Sequence, residues 1–390
     1  MHWNFSSIFL AAVVCCSGAS HVQAQSNAGG NRSDTQVRIN QIQVIGTHNS
    51  YHAGLAPSAG KLLKAQNPKA YAGLEYRHQP LDQQFSAGVR QIELDVFADS
   101  QGGRYAQDRW AKSIAAANLP ADPAFDPQGA MQKPGFKVMH VQDVDYRSTC
   151  QPFMACLNVI RDWSLAHPSH VPIYVLVETK QQDLAADHHA TPTEKFTSAT
   201  FDALDAEIRS VFHPNEMITP DDVRHGAATL EEAVLNNGWP TLQSARGKVV
   251  FLMDQRAVGP VYLEGHPSLR GRVLFTNAKP GEPDAAFVEE NDGTPAEIAA
   301  LVRKGYLIRT RTDADTAEAR SNATERREKA LASGAQILST DYPISEPASF
   351  DGHPTGFVVA LPGGAVARCN PVNAPASCSA ESTVEHAGPM

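Results

Sequence analysis

The chain has 390 residues, 42% hydrophobic and 19% charged, with 33 Lys and Arg against 42 Asp and Glu for a net charge of −9. That is globular composition, enough for one large domain or two average ones. The acidic balance argues against general attraction to nucleic acid or to acidic membranes, and no apolar run reaches the ~18 residues of a membrane-spanning helix.

Ile8 to Cys16 form a short apolar core, followed by Val22-Gln23-Ala24, which suits signal-peptidase cleavage before Gln25. The preceding residues hold His2 but no Lys or Arg, so a buried N-terminal strand or helix is the alternative. Residues 1–24 are read as a signal peptide, and 25–38, rich in Gly, Ser, Asn and Gln, as a flexible segment. Beyond the leader, Cys150/Cys156 and Cys369/Cys378 form two close pairs. Local disulfides suit an oxidising compartment, hence a secreted or periplasmic protein, although four cysteines allow three connectivities. Zinc is the other use, but neither pair has Cys-x-x-Cys spacing or a His cluster beside it.

Strand-like apolar runs then alternate with helical stretches. The strands expected are Ile42–Ile45, Val89–Phe97, Phe136–Val141, Ile173–Val177, Lys248–Met253, Arg272–Phe275, Tyr306–Ile308 and Gln336–Leu338. Several are nearly continuous hydrophobic runs, as in a parallel sheet buried on both faces. Helical patterns cover Phe153–Leu165, Phe196–Phe212 and Ala314–Ala332. A further helix enters at Thr294, with Pro295 in its first position, Glu297 completing a capping box and Gly305 after its end. Eight strands with intervening helices predict an α/β fold, a (β/α)8 TIM-type barrel over 39–345, which needs roughly 250 residues. Long loops are expected at 98–135 and 277–293. The 255–271 stretch is too poor for a full helix, so the barrel is expected to be irregular there. Residues 346–390 are read as a disulfide-pinned C-terminal extension packed on the barrel. An open doubly wound sheet is the competing fold, but no Gly-rich phosphate loop follows the first strand.

Four segments carry chemistry. Ile45-Gly46-Thr47-His48-Asn49-Ser50-Tyr51-His52 ends an apolar strand in polar residues, at the rim where barrel active sites sit. In Gln91-Ile92-Glu93-Leu94-Asp95-Val96 the two carboxylates share one strand face. Placed inside an apolar strand, they need a cation, a proton or water, and such oxygen ligands favour Ca²⁺ or Mg²⁺. Val138-Met139-His140-Val141-Gln142 places a second His at a strand end, and Ile173 to Lys180 ends in Glu178-Thr179-Lys180. Each motif alone also fits a structural use: a turn hydrogen bond, a solvated edge strand, a satisfied core residue. Four consecutive strands ending this way make a constellation. Asn49, Glu93, Asp95 and Glu178 supply oxygen ligands for a hard cation, while His48 and His140 can exchange protons near neutral pH. With Lys180, this set suits a phosphodiester.

These segments resemble the calcium-dependent phosphoinositide-specific phospholipase C family, in its secreted bacterial branch. His48-Asn49, Glu93 and Asp95, His140 and Glu178 match its motifs in order, and the resemblance spans 41–342, including Asp341-Tyr342-Pro343. It implies Ca²⁺ on Asn49, Glu93, Asp95 and Glu178. It also implies attack of the inositol 2-hydroxyl on phosphorus, His48 stabilising the phosphorane charge, and His140 protonating the leaving diacylglycerol oxygen. Lys180, Arg309 and Arg311 would contact phosphate or inositol, a surface salt-bridge role being the alternative for the two arginines. Where eukaryotic members carry Lys-x-Lys, this chain has Leu252 and Asp254. An acid there would repel a phosphate and favours unphosphorylated phosphatidylinositol. The partner is then a phospholipid at a membrane surface, met by a monomer without a transmembrane segment. A glycerophosphodiester phosphodiesterase or sphingomyelinase-D-like enzyme is the near alternative, and an inactive inositol-lipid-binding module the alternative of another class.

Overall fold

The computed structural model describes residues 35–184 and 190–385. The signal peptide read at 1–24 and most of the 25–38 segment lie outside them. The described end of that segment is packed rather than flexible: Val37 is buried, its carbonyl accepts from Leu242 N at 2.7 Å, and Arg38 bridges Thr241.

The principal sheet is built from β1 (Ile42–Thr47), β2 (Gln91–Phe97), β3 (Lys137–Val138), β4 (Ile173–Thr179), β5 (Met217–Ile218), β6 (Val249–Met253), β7 (Phe287–Glu289), β8 (Leu307–Arg311) and β9 (Ile337–Thr340). Its order is β5-β6-β4-β2-β1-β9-β8-β7, and every neighbouring pair along this path is parallel. Isolated bridges Leu252↔Phe275 and Asn277↔Phe287 link β6 to β7 through residues 275–277. The curled sheet is thereby drawn round as an irregular α/β barrel. The run expected as a strand at Arg272–Phe275 fills that gap through bridges instead of a ladder. Three further strands follow, β10 (Ser349–Phe350) and β11 (His353–Pro354) as a hairpin, and β12 (Ala367–Cys369). β12 runs antiparallel on β1, so the C-terminal segment adds to the sheet.

Four expectations need correction. Phe136–Val141 is not a barrel strand: only Lys137–Val138 pairs, antiparallel to the outer end of β2, and His140 follows in a loop. The helix expected at Ala314–Ala332 is two helices, Ala317–Ser321 and Glu325–Ser333, broken at Asn322 in the left-handed conformation that Asn tolerates. The loop 98–135 holds a helix at Trp110–Ala116, and 277–293 holds β7.

The helices bury one stripe each. Phe153–Ala166 buries Phe153, Cys156, Leu157, Ile160 and Trp163, an i, i+3, i+4 pattern against the sheet. Pro295–Lys304 starts as its motif requires: Glu297 N donates to Thr294 Oγ1 at 3.3 Å and Thr294 N to Glu297 Oε2 at 2.9 Å. Gly305 ends it at φ 106°, where a Cβ would meet Val234 O at 2.7 Å. Cys150–Cys156 and Cys369–Cys378 are disulfide-bonded.

Candidate active site

The carboxyl ends of β1, β2, β4, β8 and β9 converge on one buried polar cluster. After β1 the chain turns at Asn49, whose φ of 46° is left-handed and suits Asn. The turn is clamped on both sides: Ser50 N donates to Glu93 O at 3.0 Å, Glu93 N to Ser50 Oγ at 2.8 Å, and His48 N to Thr340 O at 3.0 Å. Gly46 lets β1 lie close to β2, since a Cβ would fall 2.7 Å from Gln91 Cβ.

Glu93, Asp95 and Glu178 bring a ligand atom each to within 4.8 Å of one another. The parallel register explains this, since Asp95 pairs with Glu178 across β2 and β4, and Glu93 shares Asp95's face. Neither oxygen of Asp95 receives a well-directed hydrogen bond. Burial pushes Asp95 up to about 8, with Glu178 adding to it, and burial pushes Glu93 to about 8 against the pull of Arg309. Buried carboxylates in this state call for positive charge, and an all-oxygen donor set fits a hard divalent cation such as Ca²⁺. Asn49 lies beside them, its Nδ2 donating to Tyr76 Oη at 2.7 Å, which leaves Oδ1 toward the Tyr51 hydroxyl at 3.5 Å.

The chain's own cations answer that charge. Lys180 Nζ stands 3.0 Å from both Asp95 Oδ2 and Glu178 Oε1. Burial would lower its pKa, but these two acids hold it above its ordinary value. Arg309 is buried, not at the surface. Its Nη2 donates to Glu93 Oε2 at 2.6 Å and Ser339 Oγ at 3.1 Å, and its Nη1 to Glu289 Oε1 at 2.5 Å and Asn291 Oδ1 at 2.7 Å. Arg311 Nη2 donates to Asp341 Oδ2 at 3.1 Å, so the surface salt-bridge reading holds for neither arginine.

Each candidate imidazole is backed by a buried carboxylate. His48 Nδ1 is 2.8 Å from Asp341 Oδ1, and its Nε2 is 3.6 Å from Glu93 Oε1. Burial, with Arg311 adding to it, pushes His48 down to about 3, while burial's opposite pull on Asp341 loses to His48 and Arg311, which hold that carboxyl well below its usual range. His140 Nδ1 is 3.0 Å from Asp145 Oδ2. The Tyr76 ring lies 6.2 Å from His48 and 4.5 Å from His52, whose ring is 6.1 Å from His140. Tyr76 and His52 thus stand between the two imidazoles. A cavity of about 1080 Å³ bounded by Leu55, Tyr76, Asp341 and Glu346 reaches the His48 side. Another of about 890 Å³ opens over Asp254, Asn277, Glu289 and Asn291. Burial, with Glu289 next, pushes Asp254 up to about 11.

All nine residues singled out as catalytic, metal or substrate contacts therefore fall in this one region. Asp145, Tyr51, Tyr76 and Glu289 join them without having been singled out. Asp145 comes close because Val141 and Asp145 exchange backbone hydrogen bonds at 2.8 Å each; the only sequence signal was an acid soon after His140.

The sequence matches the family profile described as phosphoinositide phospholipase C, Ca²⁺-dependent, over residues 37–371. No curated protein matches it. Among solved structures the chain is similar to a calcium-dependent phosphoinositol-specific phospholipase C from a Gram-negative Pseudomonas species. The TM-score is 0.50 and the identity 15%, over 87% of this chain and 97% of that one. The myoinositol complex of that protein gives 0.50 and 15%, over 86% and 96%. A Ca²⁺-dependent phosphatidylinositol-specific phospholipase C from Streptomyces antibioticus is 19% identical, over 78% and 95%, at a TM-score of 0.48.

Proposed function

Because the chain belongs to the Ca²⁺-dependent phosphoinositide phospholipase C family, we propose that it cleaves phosphatidylinositol to diacylglycerol and inositol 1,2-cyclic phosphate. One observation carries the reading: two imidazoles, each held by a buried carboxylate, border an all-oxygen cluster of three acids. Asn49, Glu93, Asp95 and Glu178 would hold Ca²⁺, which supplies positive charge to the phosphodiester and acidifies a neighbouring hydroxyl.

The chain's residues do the rest. Glu178, the most exposed of the three acids, takes the proton of the inositol 2-hydroxyl as its oxygen bonds to phosphorus. The Nδ1–H of His48 donates a hydrogen bond to Asp341, which turns Nε2 toward the phosphate; an anionic phosphodiester there favours the doubly protonated ring, which takes its second proton from solvent and donates from Nε2. His140 delivers an Nε2 proton to the glycerol oxygen as the phosphorus–oxygen bond breaks, while Asp145 keeps the Nδ1 proton. Lys180 and Arg311 neutralise the phosphate, and Arg309, held by Glu93 and Glu289, orients Glu93. The Asp254–Glu289 pair disfavours a phosphorylated ring and favours hydroxyls. Two disulfides support action in an oxidising compartment, and among the described residues no helix is long and apolar enough to cross a membrane.

Phosphorus NMR of the protein with phosphatidylinositol micelles tests this. A cyclic inositol phosphate signal with Ca²⁺, abolished by chelator, is expected. Preferred turnover of water-soluble glycerophosphodiesters or of sphingomyelin would overturn the reading.

A further inference from the structure

His78 is buried beside the candidate site and takes no part in the chemistry above. Both of its ring nitrogens are engaged, Nε2 with the main-chain carbonyl of His48 at 2.9 Å and Nδ1 with Glu346 Oε2 at 2.5 Å. A carbonyl only accepts, so Nε2 carries a proton and donates it to His48 O. The other oxygen of Glu346 accepts from Gln79 N at 2.7 Å. That carboxylate therefore grips both the His78 ring and the peptide that follows it.

The need for such a donor follows from where β1 stops. Its last residue is Thr47. Past that point His48 N still donates to Thr340 O at 3.0 Å, but the His48 carbonyl is met by a side chain. The backbone of His78 holds the far end of the same turn, its N–H donating to His52 O at 2.8 Å. One residue thus fastens the turn from His48 to His52 at both ends. Its own anchor is the chain that leaves β9. Asp341 on that chain meets the His48 ring at Nδ1, 2.8 Å away, and Glu346 farther along it holds the His48 main chain through His78. The anchor is itself tied down: Glu346 N donates to Pro343 O and Val359 N to Tyr342 O, each at 2.8 Å. Ring and backbone of His48 are both referred to the 341–346 segment.

We infer that His78 is a positioning residue which, by donating to the His48 carbonyl and taking its own place from Glu346, holds the His48 imidazole on Asp341 with Nε2 aimed at the phosphate. The inference rests on the reading of His48 as the group that stabilises charge on phosphorus. That charge grows only as the new bond forms, so a misplaced donor loses most in the transition state and little in substrate binding. A displacement of about 1 Å can cost roughly 100-fold in rate. Asn49 should be disturbed less, because its side chain is tied to Tyr76 and the turn is clamped to β2 through Ser50 and Glu93, both without His78.

The test is a cycle of His78 and His48 variants, assayed on phosphatidylinositol at saturating Ca²⁺. His78→Leu cannot donate and should lower kcat about 10- to 100-fold, with KM and calorimetric Ca²⁺ affinity little changed. His78→Gln, whose amide can place an N–H near the position of Nε2, should recover most of that rate. Because His78 acts through His48, the change to Leu should cost nothing further in a His48→Ala background. Independent, multiplying losses overturn the inference, as does an unchanged kcat in His78→Leu. Nitrogen NMR of the wild-type protein with labelled histidine is a second measurement, one that needs no variant to fold. A protonated His78 Nε2 is expected, and a bare Nε2 overturns the inference. Absence of any phosphatidylinositol turnover in the wild type would remove the parent reading and this one with it, whereas turnover with multiplying losses removes this inference alone.

Discussion

Two charged sites at opposite ends of the barrel are satisfied to different degrees. Before β2 and β4, at the amino end, Arg90 is enclosed with every need met. Its Nε donates to Glu385 Oε1 at 2.7 Å, its Nη2 to Glu385 Oε2, its Nη1 to Phe85 O and Val89 O at 2.7 Å each, and it stacks on Trp163. His170 beside it is paired at both nitrogens, with Ser164 Oγ at 2.7 Å and Val171 O at 2.6 Å. At the carboxyl end Asp95 Oδ1, Asp145 Oδ1 and Glu289 Oε2 are each buried without a hydrogen-bond partner. A saturated network contributes stability. An unsaturated one gives stability away and holds carboxylates ready for something that arrives later.

Substitutions at the two ends should therefore separate activity from stability. The largest effect belongs to the rim: His140→Ala or His48→Ala should cut kcat on phosphatidylinositol by about 10³-fold, with the urea midpoint nearly unchanged. Equal losses of activity and stability would merge the two regions. At the base, Arg90→Met leaves the half-buried Glu385 carboxylate with Val171 N alone as its partner and should cost about 3 kcal/mol in urea unfolding. Its activity per folded molecule should match wild type, and a proportional loss of kcat would contradict the division.

The contrast also marks what could be read in the sequence. Glu93 with Asp95, and Glu178 with Lys180, were legible because polar residues interrupt apolar strands whose period is two, so each pair shares a face wherever the strand is placed. His48-Asn49 was legible as an abrupt end to β1. Asp145 and His78 were not, because their approach to His140 and His48 depends on a turn at Val141–Asp145 and on a loop residue 30 positions past His48, neither of which has a periodic signature. The third expected strand failed for a related reason. Phe136 to Val141 is apolar enough for a strand, but buried loop residues that cover β2 are equally apolar. Glu289 lies on β7, a three-residue strand too short to stand out from the loop expected around it. The base was illegible throughout, since Arg90 finds Glu385 295 residues away.

A smaller effect should appear on acidification, and at the base. Burial, the largest influence, pushes His170 down to about 4 from its ordinary 6.5. The unfolded chain then binds this proton at a higher pH than the folded one. The stability it protects is complete above pH 6.5, falls as the pH drops toward 4, and levels off below. The loss should reach about 3 kcal/mol. His170→Gln cannot take the proton and should flatten urea-unfolding stability across that window, whereas an unaltered slope would place the acid sensitivity at the rim.

The smallest effect distinguishes competing cations within the rim. Lys180 sits 3.0 Å from Asp95 and from Glu178, two of the three acids that would hold Ca²⁺, and is their only ammonium partner among the described residues. Any divalent cation entering there meets the repulsion of that ammonium or displaces it. Lys180→Met removes the obstacle and should tighten Ca²⁺ binding about tenfold by calorimetry, or ~1.4 kcal/mol. Turnover at saturating Ca²⁺ should move the other way, because the same ammonium neutralises the phosphate. Tighter metal with slower chemistry would mean that Lys180 holds the carboxylates for a ligand it later helps to serve. Affinity unchanged or weakened would mean that the ammonium and the metal do not contend for the same oxygens.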